Sequence, residues 1–455
     1  MAVDVAAFRK LAELFRPHAT LYAVGEFCRD KLLGLEPRDL DICAKLTVKE
    51  VEKVLSDTDF AVHRQYPRLG TACVSCRGFT AEYTCFRTDS YREGSGEHHP
   101  ADVTFTTDIN LDAARRDFTA NAVYFDPLTG EYVDPKGGIK DIADKVLRAA
   151  DNPERVFSED GLRILRLVGF AAETGFGVDG ATMRAARKFA SQVADIVPER
   201  ILAELDKIFV ADTAYPALGV GDGHVRGLAL LDELGLVELL LPELAALKGL
   251  AQNPKYHRYD AYRHSVETYA VAPPEIRWAA LLHDVGKRIC FERDGNMYRH
   301  AETGAEALAG RFAALRMPKT RAKRITELVR WHMVDLAGDM SENKLRRFVA
   351  EHADTVRDLA ALKRADGYAT CGHPVERVRL EEIYDAMLSD GTPMKISDLP
   401  VDGKDAEAAG LVGRDIGTAV RELWECAVLD PALRKRENAL AFLERRAEKA
   451  RKEKK

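Results

Sequence analysis

The stretch LYAVGEFCRDKLLGLEPRDLDIC, residues 21–43, decides how the amino-terminal part of the chain folds. An apolar run leads into Gly25, then a short helical stretch, a Gly/Pro loop and a second apolar strand. Asp39 and Asp41 stand two residues apart, and residues i and i+2 of a strand point to one face. Paired carboxylates on one face suit hard divalent cations, which also bridge substrate phosphates. A bare D-x-D is more often a solvated pair, so the preceding strand and glycine turn carry the inference.

Three further features of the amino-terminal part can bind a nucleotide. Gly25 lies where a strand turns into a helix, and backbone N–H groups at such a turn can bind phosphate, with Arg29 four residues further on. In ARRDFTANA, Arg116 suits triphosphate or ribose oxygens, and a helix-start salt bridge is an equal alternative. In EDGLRILR, Asp160 and Arg163 are three apart in an apolar helical pattern, which predicts a shared face able to satisfy a base edge; a plain ion pair is the alternative.

Histidines and acids also recur in the carboxy-terminal region. They are His264, His283, Asp284, His300, His332 and Asp366. On separate helices such side chains can converge on one metal in a bundle core, where imidazole suits transition metals and carboxylates extend the choice to Mg²⁺ or Mn²⁺. One histidine on an apolar face is more often a core residue, but the adjacent His283–Asp284 followed by Gly-Lys favours a metal site.

Length and patterning predict an α+β protein. Apolar residues at helical spacing predict a first helix at Val5–Phe15. Short strand-like runs then alternate with turns up to about residue 147, including the turn-rich segment 91–100, and helical periodicity dominates from Pro153 onward. We therefore expect a head with a mixed sheet and helices, followed by a long all-helical region. The predicted domains are a head at 1–147, a helical neck at 148–250, a helical metal domain at 251–375 and a carboxy-terminal helical body at 376–455.

Composition narrows the functional class. The formal net charge of −6 excludes a positive electrostatic field over the whole protein that would indicate nucleic-acid binding. Residues 434–455 nevertheless hold ten Lys/Arg against four Glu. The eight cysteines are scattered, and C-x-x-C at 73–76 has no second pair at zinc-ribbon spacing. The sequence shows neither a signal peptide nor an apolar run of transmembrane length, so a cytoplasmic protein is expected.

The amino-terminal motifs resemble, in order, those of the bacterial CCA-adding tRNA nucleotidyltransferase/poly(A) polymerase family. VGEFCRDKLLGLEPRDLDI is similar to its signature, CFRTDSY and HPADVTF to its intervening strand and flexible loop, and ARRDFTANA and SEDGLRILR to its next two motifs. The resemblance implies a polymerase-β-like head that adds the 3′-terminal CCA to tRNA from CTP and ATP. It implies Mg²⁺ on Asp39 and Asp41, which would be the catalytic residues. It also implies nucleotide contacts from Gly25, Arg29, Arg116 and Arg166, with Asp160 and Arg163 acting as a protein template.

The helical set resembles the HD phosphohydrolase superfamily. His264, His283, Asp284 and Asp366 match its four metal positions, and His300 and His332 match extra histidines of some members. This implies a second, metal-dependent phosphohydrolase activity that uses Mg²⁺, Mn²⁺ or Ni²⁺. A metal held there would lower the pKa of bound water.

Two positions depart from the family pattern. Glu26 stands where a second glycine or serine is usual, and Gly169 where an arginine is common. A carboxylate near a triphosphate repels it unless it is paired or points away. The alternatives are an HD hydrolase whose head only binds RNA, an enzyme that adds only CC or only A, a poly(A) polymerase, and a noncatalytic RNA-binding protein.

Overall fold

The computed structural model describes residues 4–90, 102–255 and 257–453. They form two compact units. The first consists of Met1–Pro242 with Ala314–Met317, and the second of Glu243–Ala313 with Pro318–Lys455. The predicted turn-rich segment 91–100 and parts of the two loop motifs, Tyr91 and residues 99–101, lie outside the described residues.

All described strands lie in the first unit. They are β1 Tyr22–Val24, β2 Asp41–Ala44, β3 Ala61–Tyr66, β4 Thr71–Cys76, β5 Phe79–Cys85, β6 Arg87–Ser90, β7 Asp102–Phe105, β8 Tyr124–Phe125, β9 Tyr132–Val133, β10 Val146–Leu147 and β11 Gly177–Val178. Seven of the described strands form one sheet in the order β3-β4-β5-β2-β1-β8-β9, with β2 parallel to β5 and the other neighbours antiparallel. The remaining strands make two short pairs, β6 with β7 and β10 with β11.

The first unit also holds the helices of the head and neck. They are α1 Val5–Phe15, α2 Glu26–Leu32, α3 Val48–Leu55, α4 Ile109–Ala114, α5 Gly138–Ala143, α6 Pro153–Glu159, α7 Leu162–Thr174, α8 Gly180–Phe189, α9 Pro198–Phe209, α10 Gly223–Glu233 and α11 Leu236–Leu240. Helix α1 has the predicted bounds: the Asp4 side chain caps its start by accepting from the Ala7 N–H, and Phe8, Leu11 and Phe15 are buried at helical spacing.

The described residues from Glu243 onward are helical, apart from turns and loops. The helices are α12 Pro242–Ala245, α13 Ala261–Val271, α14 Arg277–Leu282, α15 Gly286–Asp294, α16 His300–Ala314, α17 Lys319–Trp331, α18 Glu342–Glu351, α19 Val356–Cys371, α20 Arg379–Ser389, α21 Gly403–Ala408, α22 Arg414–Ala427 and α23 Arg436–Glu453. The predicted α+β class, a mixed-sheet head followed by a long helical region, is therefore confirmed.

The register of the central strands brings the D-x-D motif to one end of the sheet. Val24, the last residue of β1, pairs with Asp41, the first residue of β2, and Asp41 pairs on its other side with Glu82 of β5. Because α2 begins directly after Gly25, the glycine turn and the start of β2 are neighbours. Asp39 lies in the loop just before the strand rather than in it.

Candidate active sites

Gly25 lets the turn after β1 approach Asp41 closely. Its φ of 74° lies in the left-handed region, and a Cβ built on it would come within 2.9 Å of the Asp41 Oδ2. A side chain at this position would therefore be strained and would also push on the carboxylate. The positive φ and the close approach to Asp41 therefore each require the glycine that the sequence analysis singled out.

Asp41 is the electrostatic centre of this site. Burial raises its pKa to about 6 with help from the neighbouring carboxylates Glu82, Glu26 and Asp39 and against the opposing charge of Arg116. A carboxylate whose negative charge is penalised in this way is suited to a divalent cation, which would offset the penalty. In the described residues, however, the oxygens of Asp39, Asp41 and Glu82 do not form one set within 4.8 Å of each other.

Two cavities meet beside Asp39. The sheet-side cavity, of about 540 Å³, is lined by Asp4, Glu26, Arg38, Asp39, Leu40, Asp41 and residues 78–82. The helix-side cavity, of about 220 Å³, is lined by Glu26, Arg38, Asp39, Arg166, Gly169, Phe170, Glu173, Glu204, Lys207 and Tyr215. Both predicted metal ligands thus line one cavity, and Asp39 also faces a second cavity walled by α7 and α9. Their metal-binding role stays a prediction.

Arg29 lies inside the protein fold. Its side chain is 1% exposed, it donates to Asp30 Oδ1 at 2.7 Å and to the Tyr215 hydroxyl at 2.5 Å, and it lies over the rings of Phe170 and Tyr215. These contacts tie α2 to α7 and to the segment after α9. The predicted nucleotide contact of Arg29 stays a prediction, and the side chain also has a structural task.

Arg116 and Arg166 are both anchored to aspartates. Arg116 pairs with Asp112 at 3.1 Å and donates to the Tyr124 hydroxyl, and its charge acts on Asp41. Arg166 pairs with Asp117 at 2.7 Å while it lines the helix-side cavity with Asp39. Burial opposes the charge of Arg116, but Tyr124 and Asp112 hold its pKa well above its ordinary value.

The expected shared helical face of Asp160 and Arg163 is wrong. The backbone is extended at Asp160, with φ −147° and ψ 105°, so α6 ends at Glu159 and α7 begins at Leu162. Asp160 accepts from the Leu162 N–H at 3.0 Å, as a capping residue does. Arg163 points the other way, to the Val156 carbonyl, Glu159 and the Arg115 carbonyl. Neither residue lines the helix-side cavity.

The two departures from the family pattern both lie at the helix-side cavity. Glu26 lines both cavities, is 40% exposed, and approaches the Arg29 guanidinium at 3.5 Å, so it is paired but still faces the site. Gly169 lies on the cavity wall beside Glu204. The nearest lysine on that wall, Lys207, pairs with Glu204 at 2.9 Å.

The second unit gathers all the predicted histidines and acids in one buried cluster. His264 lies on α13, His283 and Asp284 follow α14, His300 begins α16, His332 ends α17, and Asp366 lies on α19. Gly286 makes this convergence possible, because a Cβ on it would lie 2.0 Å from the His300 carbonyl oxygen. The starts of α15 and α16 can therefore approach closely enough for Asp284 to reach His300.

The ring nitrogens of this cluster are oriented for metal binding. The Nδ1–H groups of His283, His300 and His332 donate to backbone carbonyls at 2.8, 2.9 and 2.7 Å, which leaves each Nε2 lone pair directed inward. Two sets of ligand atoms each lie within 4.8 Å of one another, one of His264, His283 and Asp284 and the other of Asp284, His300 and His332. Asp284 belongs to both sets, and Asp366 approaches His264 Nε2 at 3.0 Å.

The electrostatics of the cluster favour an ionised carboxylate beside histidines whose pKa values shift in opposite directions. Burial would lower the pKa of His283, but Asp284 raises it above its ordinary value. Burial alone would raise the pKa of Asp284, but His283 and Lys287 lower it well below its ordinary value. Burial lowers the pKa of His332 to about 3. A divalent transition metal takes an ionised aspartate with neutral imidazoles, so the residues fit a metal ion, and His283 would release its proton when a metal binds.

The cluster opens into a cavity of about 910 Å³. Its lining includes Asp284, His300, His332, Asp366, His257, Lys287, Arg299 and the exposed ring of Tyr298. Lys287 Nζ lies 2.6 Å from Asp284 Oδ2 and also donates to Gln252. Candidate metal ligands beside cations and an open cavity suit an anionic ester as substrate.

Sequence reasoning missed several residues that line these sites. Glu82 lies opposite Asp41 only because β2 pairs in parallel with β5, a pairing that skips two intervening strands. Arg38 and Tyr215 line the helix-side cavity, and His257 the cavity of the second unit. For Arg38, its position next to Asp39 was an available signal.

Three family descriptions match the chain. Residues 21–148 match the Poly A polymerase head domain, residues 175–248 the probable RNA and SrmB-binding site of polymerase A, and residues 260–370 the HD domain. The CC-adding tRNA nucleotidyltransferase of Thermus thermophilus is 31% identical over 443 residues, which cover 93% of this chain and 92% of that protein. The chain belongs to the bacterial tRNA nucleotidyltransferase family.

The relatives of this tRNA nucleotidyltransferase family member add different nucleotides. The A-adding tRNA nucleotidyltransferase of Deinococcus radiodurans is 33% identical over 62% of this chain and 65% of that protein. The CCA-adding enzyme of Geobacillus stearothermophilus is 35% identical over 58% of this chain and 59% of that protein. The crystal structure of the Bacillus stearothermophilus CCA-adding enzyme in complex with CTP shares the fold, with a TM-score of 0.66 at 23% identity over the whole of both chains.

These findings confirm that the protein is a nucleotidyltransferase. A nucleotidyltransferase head and an HD domain both imply the use of divalent metal ions. Among the described residues, none of the helices combines the length and the apolarity needed to cross a bilayer.

Proposed function

We propose that the protein adds the 3′-terminal CCA to tRNA from CTP and ATP. The observation that carries this is the meeting of Gly25, Asp39, Asp41 and Glu82 at one end of the head sheet, in a chain related over 93% of its length to a tRNA nucleotidyltransferase. The tRNA 3′ hydroxyl attacks the α-phosphate of the nucleotide, and pyrophosphate leaves. Catalysis then rests on positioning and on charge neutralisation.

The proposed metal ligands in the head are Asp39 and Asp41, with Glu82 as a third carboxylate. These carboxylates would hold Mg²⁺, which would supply neutralisation of charge on the reacting phosphates. Gly25 keeps the turn close to Asp41, and the positive charge of Arg116 acts on that carboxylate. Arg29, Arg116 and Arg166 are proposed to orient the nucleotide, with their present partners holding them in place.

Nucleotide selection is proposed to use Asp160 and Arg163 as a template. Cytosine and adenine both present an amino donor beside a ring-nitrogen acceptor, which a carboxylate and a guanidinium can pair with. Asp160 lies 3.8 Å from Arg200, and Arg163 is bonded to Glu159, so both side chains must change partners to meet a base. One such pair would serve both bases, which supports addition of the complete CCA over CC or A alone.

The extent of addition has a direct test. End-trimmed tRNA is incubated with Mg²⁺ and with CTP, ATP or both, and the product ends are sequenced. Our proposal expects CC with CTP alone and CCA with both nucleotides. A product that stops at CC with both present indicates a CC-adding enzyme, A added only to tRNA already ending in CC indicates an A-adding enzyme, and runs of A indicate a poly(A) polymerase.

The HD cluster supports a second activity, a metal-dependent phosphohydrolase. The two ligand sets that share Asp284, together with Asp366, would hold one or two ions of Mg²⁺, Mn²⁺ or Ni²⁺. Such an ion activates water as a nucleophile. The protein would then have two independent centres, one in each unit.

Paired substitutions test the two centres. Asp41→Ala should abolish nucleotide incorporation and leave metal-dependent hydrolysis of a phosphodiester intact, and Asp284→Ala should do the reverse. Loss of both activities in either folded variant would contradict two centres. If the unaltered protein hydrolyses but never incorporates, the hydrolase with an RNA-binding head is the correct function; binding of tRNA with neither activity would indicate a noncatalytic RNA-binding protein.

The proposed partner is the tRNA 3′ end, gripped by the helical region and the basic carboxy-terminal segment. Several arginines of that segment already pair within the chain, Arg434 with Asp390, Arg436 with Asp405 and Arg446 with Glu422. The phosphate contacts are therefore expected from the remaining exposed cations, and affinity for tRNA should fall steeply with salt.

A further inference from the structure

Arg38 differs from the other arginines at the head site in having no acceptor among the described residues. Arg29, Arg116 and Arg166 each donate to an aspartate. Within the part of the chain that the structure describes, the Arg38 guanidinium has neither an ion pair nor a hydrogen bond, and its close contact is the Tyr215 ring, 4.4 Å from the centroid. Its donors are therefore available to an anion.

Arg38 lies where the two cavities adjoin, next to Asp39. Three residues, Glu26, Arg38 and Asp39, line both cavities, and Arg38 is the cation among them. The sheet-side cavity is otherwise rich in carboxylates, those of Asp4, Glu26, Asp39, Asp41 and Glu82. The helix-side cavity has three cations, Arg38, Arg166 and Lys207, against four carboxylates, those of Glu26, Asp39, Glu173 and Glu204. The proportion of cations is therefore higher on the helix side than on the sheet side, where Arg38 faces five carboxylates.

We propose that Arg38 binds the β- and γ-phosphates of the incoming nucleotide and holds the pyrophosphate as it leaves toward the helix-side cavity. This rests on the proposed nucleotidyl transfer. In that reaction the bond from the tRNA 3′ oxygen to the α-phosphorus forms, the bond from the α-phosphorus to the bridging oxygen breaks, and the electron pair goes to pyrophosphate. The fork of Arg38 donates to the oxygens on which this charge develops.

The stack on Tyr215 explains why an arginine serves better than a lysine here. A guanidinium lying on an aromatic face keeps its plane fixed and its edge donors directed outward, whereas an ammonium lacks both the plane and the fork. Tyr215 is itself held, because its hydroxyl accepts from Arg29 and donates to Asp30. The buried Arg29 therefore helps to position the exposed Arg38 through a shared tyrosine.

The test compares Arg38→Ala and Arg38→Lys with Arg9→Ala, an exposed arginine on α1 that lines neither cavity. Arg38→Ala should raise the KM for CTP and ATP, and the inhibition constant of pyrophosphate, by about tenfold to hundredfold, with the KM for tRNA unchanged. Arg38→Lys should fall between the alanine variant and the unaltered protein, and Arg9→Ala should match the unaltered protein. Calorimetric binding of pyrophosphate with Mg²⁺ to each protein, without tRNA, gives the same comparison independently of turnover.

Each outcome of these measurements either supports or overturns the proposed role of Arg38. Unchanged binding and inhibition by pyrophosphate in Arg38→Ala overturns the proposal. A raised KM for tRNA with unchanged nucleotide constants also overturns it and assigns Arg38 to the RNA backbone instead. If the unaltered protein incorporates no nucleotide, the proposed function fails, and the pyrophosphate titration still reports whether Arg38 binds the anion.

Discussion

Gly25 determines both the backbone conformation of the turn and the position of the Asp41 carboxylate. We expect Gly25→Ala to lower nucleotide incorporation about a hundredfold, because the new methyl group would lie 2.9 Å from the Asp41 Oδ2 and would displace the carboxylate. Gly34→Ala is the matched control, since Gly34 has a φ of 73° but open space around its Cβ position. Single-turnover incorporation by the two variants separates displacement of Asp41 from simple backbone strain. Equal losses in both would refute the role of the contact.

Glu173 makes stability depend on pH. Burial raises its pKa to about 7, with Glu26 as the next contribution, so the folded protein holds this proton after the unfolded chain has released it. Stability from this group is present below its unfolded pKa and is lost as pH rises to about 7. Glu173→Gln should therefore be more stable than the unaltered protein at pH 8, by about 1–3 kcal/mol, with the difference shrinking toward pH 4. Urea unfolding at both values measures this, with Glu13→Gln on the exposed face of α1 as control.

The residue types in the sequence were enough to select candidate metal-binding residues. The sequence did not show which residues distant in the chain contact one another. Asp39, Asp41 and the six histidines and acids of the second unit could be singled out because their side chains suit metal ions in any plausible helix or strand. The environment of Arg29 could not be predicted, because its hydroxyl partner Tyr215 is 186 residues away in the chain. A sequence pattern shows only which residues are neighbours in the chain, whereas the contacts of a buried arginine come from residues that are distant in the chain.

At the scale of elements, the break between α6 and α7 determines how Asp160 can be tested. The Asp160 side chain accepts from the Leu162 N–H, and asparagine keeps that acceptor while it adds a donor. Asp160→Asn should therefore keep the fold and admit the O4 acceptor of uracil, which would raise UTP incorporation relative to CTP. Competition between UTP and CTP on end-trimmed tRNA measures the ratio. Asp179→Asn, which alters the equivalent cap of α8, should leave the ratio unchanged; if both variants shift it equally, Asp160 is not a selecting residue.

Helices and strands were predictable where the periodicity of the sequence was strong, but the pairing of the strands was not. The bounds of α1 match because an aspartate cap and an apolar stripe define it locally. The shared face of Asp160 and Arg163 failed because the helical pattern of EDGLRILR continues through the residue where the backbone turns extended. The parallel pairing of β2 with β5 depends on the packing of the whole sheet, so Glu82 was not found.

At the scale of the whole molecule, each candidate metal site lies within one unit. A cation that binds the folded HD cluster but not the unfolded chain should stabilise the second unit by about 2.7 kcal/mol at a hundredfold excess over its dissociation constant. We expect MnCl₂ to raise the midpoint temperature of one calorimetric unfolding transition of the full-length protein. A chelator should reverse this shift.

Two substitutions assign that shift to its site. Asp284→Asn removes the carboxylate common to both ligand sets, so it should abolish the Mn²⁺-dependent shift. Asp41→Asn leaves the second unit untouched and should retain the shift. Because Lys287 lies 2.6 Å from Asp284, the asparagine variant also loses a buried ion pair, and its melting temperature without metal serves as the baseline. A Mn²⁺-dependent shift that survives in Asp284→Asn would place the stabilising metal outside the histidine cluster.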